Sequence, residues 1–198
     1  MLFNRRQERG GMLRIFISGG CKNGKSYIAQ RLAKGQAKGR LYYVATMRPC
    51  DGEDAERVER HRQERDGWGF ETVEQPIDIL KCLDSCDADA SFLIDSTTAL
   101  LANEMFPAGN SVNMDAPRKI AGELAGLCRQ VKDIVIVSDY IYSDAMLYDE
   151  LTEAYRMGLA YIDRTLAAEC DVVLEVAFGC ITVHKGREVF RPLYEKAV

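Results

Sequence analysis

Residues Gly19-Gly20-Cys21-Lys22-Asn23-Gly24-Lys25-Ser26 read G-x-x-x-x-G-K-S. The run before them, Leu13-Arg14-Ile15-Phe16-Ile17-Ser18, is apolar and β-branched and predicts a buried strand. The run after them, Tyr27-Ile28-Ala29-Gln30-Arg31-Leu32-Ala33, has helical spacing. Strand, glycine-rich turn and helix in that order are the context a phosphate-binding P-loop requires. Glycines let the backbone turn tightly and aim N–H groups inward, and the helix start adds unpaired donors and partial positive charge. On this reading the backbone from Gly19 and Gly20 through Cys21, Lys22 and Asn23 to Gly24 cradles a polyphosphate. Lys25 reaches the β- and γ-phosphates, and Ser26 is a magnesium ligand.

The remainder of the chain carries the same alternation. Leu41 to Thr46, Phe70 to Val73, Ser91 to Asp95, Asp133 to Asp139 and Asp171 to Ala177 read as strands. Helical spacing falls after Ser96-Thr97-Thr98 and over Arg118 to Val131 and Glu150 to Glu169. Pro76 is placed to open another helix. Pro107 to Pro117 reads as a flexible connection. Ile181 to His184 pairs back on the preceding strand after a turn at Phe178-Gly179-Cys180, and the last residues read as a tail around Phe190 and Tyr194. The fold class is therefore α/β: a P-loop NTPase-like three-layer fold with a mostly parallel central sheet and a C-terminal antiparallel hairpin. The loops after residues 18, 46, 95 and 138 should meet on one rim, where ligands bind in such sheets.

Composition narrows the function. The 198 residues suit one nucleotide-binding domain over 12–198 behind a flexible leader, 1–11. A net charge of −4 gives no support for nucleic acid as a partner. No apolar run is long enough to span a bilayer, and the basic start lacks the apolar core of a secretory signal. Seven cysteines, an odd number, then predict free thiols and a cytoplasmic location.

P-loop enzymes place a carboxylate at the end of a buried strand to work with magnesium. Asp95 and Asp139 both qualify as metal-linked or nucleotide-linked groups, with Asp95 the stronger candidate for the metal. Each is also a residue type that caps helices and makes turns. Glu53 to Arg65 reads as a charged helix held by pairs such as Glu53/Arg57 and Glu56/Arg60, with Trp68 after it to pack it onto the sheet. By composition, His61 on that helix faces solvent. Its neighbours Arg57, Arg60, Arg62 and Arg65 would attract a phosphate and favour the neutral ring, whose nitrogen can attack phosphorus.

Ile17-Ser18-Gly19-Gly20 with Gly24-Lys25-Ser26, Tyr43-Val44-Ala45-Thr46, Arg57-Val58-Glu59-Arg60-His61-Arg62, Trp68 with Thr72-Val73-Glu74, and Asp95-Ser96-Thr97-Thr98 with Asn103 together form a more specific pattern. It resembles the bifunctional adenosylcobinamide kinase / adenosylcobinamide-phosphate guanylyltransferase family of cobalamin biosynthesis, from about Leu13 to Lys185. The resemblance implies two reactions. ATP or GTP phosphorylates the aminopropanol hydroxyl of adenosylcobinamide, and GMP then passes from GTP to that phosphate. It also implies a guanylylated histidine at the position of His61, Mg2+ as cofactor, a corrinoid partner and a homotrimer.

Two stretches depart from the family pattern. Asn-Glu-Val-Gly is usual after the fifth strand, and Asp139-Tyr140-Ile141-Tyr142 stands here. In the C-terminal helix Asp163-Arg164 replaces a Gly…Asn-Gln pattern. Both lie toward the substrate side, which points to altered corrinoid binding or to a change in one reaction. The rival readings are a small-molecule P-loop kinase without guanylyltransferase activity and a non-catalytic GTP-binding regulatory protein.

Overall fold

In a computed structural model the chain forms one seven-stranded sheet, and the structure describes residues 12–48, 65–109 and 111–197. The strands are β1 Leu13–Gly19, β2 Leu41–Ala45, β3 Phe70–Glu74, β4 Ser91–Asp95, β5 Asp133–Asp139, β6 Val172–Ala177 and β7 Cys180–Lys185. Their order across the sheet is β3-β2-β4-β5-β1-β6-β7. All pairings are parallel except β6–β7, which is the antiparallel hairpin expected from the sequence.

Parallel strands buried on both faces need unbroken apolar runs. The β1 and β5 runs supply them: Ile15, Phe16, Ile17, Ile134, Val135, Ile136 and Val137 are all essentially buried. Phe16, Phe92, Ile94, Ile134 and Ile136 face one layer of helices. Ile15, Ile17, Leu93, Val135 and Val137 face the other. The first layer holds α2 (Thr97–Met105), α3 (Ala116–Gln130) and α4 (Glu150–Glu169). The second holds α1 (Lys25–Gln36) and α5 (Arg187–Ala197).

Register sets the rim. Gly19 lies beside Asp139 and Val176, Asp95 beside Val137, and Ala45 beside both Asp95 and Glu74. The ends of β1, β2, β4 and β5 therefore come together at one edge, as the strand pattern predicted. The opposite edge is closed by a buried ion pair. Arg14 donates from Nε to Asp171 Oδ2 at 2.9 Å and from Nη2 to Oδ1 at 2.7 Å.

Three expectations are corrected. The C-terminal tail is a helix, α5, whose Val189, Phe190 and Leu193 recur at helical spacing against the sheet, with Tyr194 stacked on Phe190. Pro192 hid it, because proline normally breaks a helix interior; here Pro192 and Glu188, the residue whose carbonyl loses its partner, are both exposed. The segment after Pro76 makes only a short 3-10 helix, Ile79–Asp84. The connection expected up to Pro117 ends earlier, since α3 takes Pro117 into its first turn, where a missing N–H costs nothing. Trp68 meets Tyr27 of α1 edge-on, with ring centroids 6.0 Å apart. The charged helix read over 53–65 lies outside the described residues up to position 64, and His61, Arg62 and Cys50 lie there with it.

Candidate active site

The Gly19–Ser26 turn leaves β1 and enters α1 through Gly24, which adopts φ 82°, a left-handed conformation that glycine accepts freely. Lys22 is also left-handed, at φ 58°. Such alternation curls successive N–H groups around a shared hollow. No side chain caps the start of α1, and its first turn holds no acidic residue. Two other helix starts are capped by side chains: Ser96 accepts from Ala99 N–H at the head of α2, and Asp149 accepts from Leu151 and Thr152 N–H at the head of α4. The α1 start thus keeps its donors and its dipole for an anion. Gly19 is needed for a different reason. A Cβ there would sit 2.3 Å from the carbonyl oxygen of Val176, a backbone atom of the paired strand.

Lys25 is buried at this turn. Its Nζ donates to Asp139 Oδ1 at 2.6 Å and to the Gly20 carbonyl at 2.6 Å. Asp139 is fixed in turn, because its N–H donates to Thr98 Oγ1 at 3.0 Å. The Thr98 carbonyl accepts from Tyr155 OH at 2.8 Å, which ties α4 to the same corner. Burial pushes the Tyr155 hydroxyl up to about 12, and the Asp139 charge adds to the shift. Asp95, on the adjacent strand β4, accepts from Tyr43 OH at 3.0 Å. The two candidate carboxylates therefore have different partners: Asp139 holds the lysine and Asp95 holds a phenol. Ser26 sits half-buried in the first turn of α1. Serine hydroxyl and carboxylate oxygens are hard donors, a set that suits Mg2+ with phosphate oxygens completing its shell.

Other groups order the rim. Thr46 Oγ1 donates to the Ser96 carbonyl at 2.8 Å and accepts from Ser96 N–H at 2.7 Å. Asn103 Nδ2 donates to the carbonyls of Thr46 at 2.7 Å and Pro76 at 3.0 Å, so α2 joins the ends of β2 and β3. Asn103 was visible in the sequence pattern. The Tyr43–Asp95 bond was not, because nothing in a strand's alternation tells a core tyrosine from one whose hydroxyl reaches the rim. Cys21 is exposed in the phosphate turn, and the six cysteines among the described residues are all free. His184 is exposed and pairs with Glu175 at 2.8 Å.

The two stretches that depart from the family pattern meet in space. Asp163 Oδ2 accepts from Tyr142 OH at 2.8 Å and from Ser138 Oγ at 2.9 Å, while its Oδ1 is buried without a partner. Burial pushes this carboxyl up to about 6; the two hydroxyl donors oppose the shift, and the nearby Asp139 charge adds to it. The folded state thus holds the proton more tightly than the unfolded chain. That contribution to stability is complete below the ordinary aspartate range near 3.8 and is lost as pH rises through about 6. Asp163→Asn keeps an oxygen for both donors and cannot ionise. Urea unfolding at pH 4 should give similar stabilities for variant and parent. At pH 8 the variant should be more stable by up to about 3 kcal/mol. Equal pH dependence in the two proteins would contradict the assignment.

A model of the cobinamide kinase / cobinamide phosphate guanyltransferase family matches residues 15–183 of this chain. The bifunctional adenosylcobalamin biosynthesis protein CobP of Pseudomonas aeruginosa is 27% identical over 179 residues, covering 88% of this chain and 98% of that protein. The protein of the same description named CobU in Escherichia coli is 26% identical over 178 residues, covering 83% and 96%. Among solved structures, the flagellar accessory protein FlaH from Methanocaldococcus jannaschii is similar with a TM-score of 0.46 and 15% identity, over 92% of this chain and 84% of that one.

Proposed function

The chain belongs to the cobinamide kinase / cobinamide phosphate guanyltransferase family, and from that premise we propose that it is a bifunctional enzyme acting on adenosylcobinamide or a related corrinoid. It transfers a phosphoryl group from ATP or GTP to the corrinoid's hydroxyl, and then GMP from GTP to the resulting phosphate. The observation that carries the reading is the Gly19–Ser26 turn: an uncapped helix start, two left-handed residues and a buried lysine lie together on the rim of a parallel sheet.

The turn and the head of α1 bind the triphosphate by backbone donors. Lys25 leaves the Gly20 carbonyl for the phosphates while Asp139 keeps its ammonium on the rim. A charge fixed in advance needs no reorganisation when the transferring oxygens become more negative. Ser26 and Asp95 would hold Mg2+, with Asp139 as the other candidate carboxylate. The ion, when bound, neutralises charge on the phosphates. Tyr43 keeps Asp95 turned to the rim. His61 carries the guanylyl group between GTP and the corrinoid phosphate, with Arg62 beside it in sequence to attract the nucleotide. A homotrimer accompanies the family reading, and exposed Leu151, Met157 and Tyr161 on α4 are surface such an assembly would cover.

The test is direct. Adenosylcobinamide is supplied with γ-labelled ATP or GTP, and the phosphorylated product is then supplied with α-labelled GTP. Label should enter the corrinoid in both steps. Transfer of γ-label alone would reduce the protein to a kinase. Nucleotide binding with neither transfer would make it a regulatory protein.

A further inference from the structure

The segment between β5 and α4 is pinned from behind. Arg156, buried on α4, donates from Nε to the Ile141 carbonyl at 3.1 Å and from Nη2 to Asp144 Oδ1 at 3.0 Å. Its guanidinium also pairs with Glu153 and lies 4.5 Å from the centroid of the Tyr148 ring. Tyr142 is tied separately, its hydroxyl donating to Asp163 Oδ2 at 2.8 Å. At the start of the segment Tyr140 N–H donates to the Gly19 carbonyl at 3.3 Å, and the Tyr140 hydroxyl lies against the Glu175 carboxylate and the Gly20 backbone. A wall held at so many points is preorganised for a ligand.

Between this wall and the sheet lies a cavity of about 350 Å3, lined by Tyr140, Tyr142 and Ser143 and by Val173 and Glu175 of β6. Ser18, the residue before the phosphate turn, closes it on the side of β1. Glu175 supplies its carboxylate and is met by His184 at 2.8 Å from β7. Asp163 stands behind Tyr142 with a second carboxylate, whose Oδ1 is buried without a partner among the described residues. No lysine or arginine among the described residues lines the space, so a phosphate would meet like charge there. Glu175 already has an imidazole and a phenol beside it, which favours a neutral group with N–H donors over a full cation. Two phenol rings above an aliphatic floor suit a flat group. Neutral, flat and N–H-bearing together describe a primary amide.

We propose that this cavity is an acceptor subsite that takes one primary-amide arm of the corrinoid, its N–H donors on Glu175 and its flat face against Tyr140 and Tyr142. The inference rests on the corrinoid reading given above: such a macrocycle is fringed by primary amides, and the cavity has room for an arm but not for the ring. Its place suits an acceptor. Tyr140 directly follows Asp139, which holds Lys25, so a corrinoid anchored here lies beside the phosphate turn. Tyr140 and Tyr142 also stand where the family pattern has glutamate and glycine, so both aromatic walls belong to this chain. The amino edge of a nucleobase offers similar donors, and the experiment separates the two sources.

Adenosylcobinamide is coloured, and its binding to the full chain is measured by equilibrium dialysis without nucleotide. Saturable binding is expected, and Tyr140→Ala should weaken it about tenfold. Monocarboxylate isomers of the corrinoid, each with one amide hydrolysed, test the chemistry. One isomer should bind the parent about tenfold more weakly than adenosylcobinamide, because its new charge meets Glu175, and Glu175→Gln should recover that loss. Circular dichroism and thermal melts show which variants are folded, and the Glu175→Gln recovery decides the matter if Tyr140→Ala does not fold. Suppose the parent binds corrinoid: if Glu175→Gln recovers no isomer, or folded Tyr140→Ala binds as the parent does, the cavity assignment is overturned and the corrinoid reading stands. No corrinoid binding by the parent overturns both. A loss of GTP affinity in folded Tyr140→Ala that exceeds the loss for corrinoid gives the cavity to the nucleobase and overturns the amide-arm assignment.

Discussion

Lys25→Ala should lower the rate of γ-phosphoryl transfer about 1,000-fold, the upper range for losing one preorganised charge at a developing oxyanion. The geometry gives two reasons for so large an effect. The side chain is 6% exposed and its ammonium is already held by Asp139, so the charge is both desolvated and fixed. No other lysine of the turn can replace it, because Lys22 is exposed and left-handed. Its removal also strands Asp139, whose half-buried carboxylate loses the lysine while its backbone N–H stays bonded to Thr98. Stability should therefore fall as well, and steady-state rates must be read beside a thermal melt. Lys25→Arg distinguishes charge from fit: the longer planar group keeps the pairing with Asp139 and should not restore transfer. A variant that folds and transfers at the parental rate would remove Lys25 from the chemistry.

How much of this was legible before the structure follows from what sequence patterns encode. Period-two and unbroken apolar runs report burial, so β1, β4 and β5 and their shared rim could be read directly. The motif gave the turn, because glycine and lysine at fixed spacing have few other uses. Helix α5 was obscured by Pro192, a local rule that loses to packing of Phe190 and Leu193 on the sheet. Relations between distant residues were harder. Tyr43 to Asp95, Thr98 to Asp139 and Arg65 to Tyr43 join residues up to fifty-two positions apart, and nothing local marks them. The Asp163 region shows the limit best. Two departures from a family pattern, read separately, looked like two losses. In the fold they are one contact, Tyr142 donating to Asp163, and together they brace the end of β5 from which Asp139 projects. Removing the Tyr142 hydroxyl would take one of two donors from the buried Asp163 Oδ2, so the two positions are understandable only together.

His61→Ala should abolish protein-bound label from α-labelled GTP while leaving γ-phosphoryl transfer to adenosylcobinamide within about threefold of the parent. A nucleotidyl histidine has a phosphorus–nitrogen bond, which acid cleaves and alkali spares, so the label should be lost in acid and survive base. The prediction separates the two reactions because they need different things. Phosphoryl transfer needs a fixed triphosphate and a poised lysine, which on the proposed reading the Gly19–Ser26 turn supplies. Guanylyl transfer needs a neutral nitrogen that can approach the α-phosphorus and later release the group to another phosphate. Arginines at 57, 60, 62 and 65 surround His61 in sequence, and cationic neighbours favour the unprotonated ring. The last of these, Arg65, stacks on Tyr43, whose hydroxyl meets Asp95 at the rim. His184 is the internal control: it is exposed, paired with Glu175 on the hairpin, and its replacement should leave the label intact. Undiminished acid-labile label in the His61→Ala protein would move the covalent step to another nucleophile. Loss of both transfers in a folded variant would show that His61 shapes the nucleotide site as a whole.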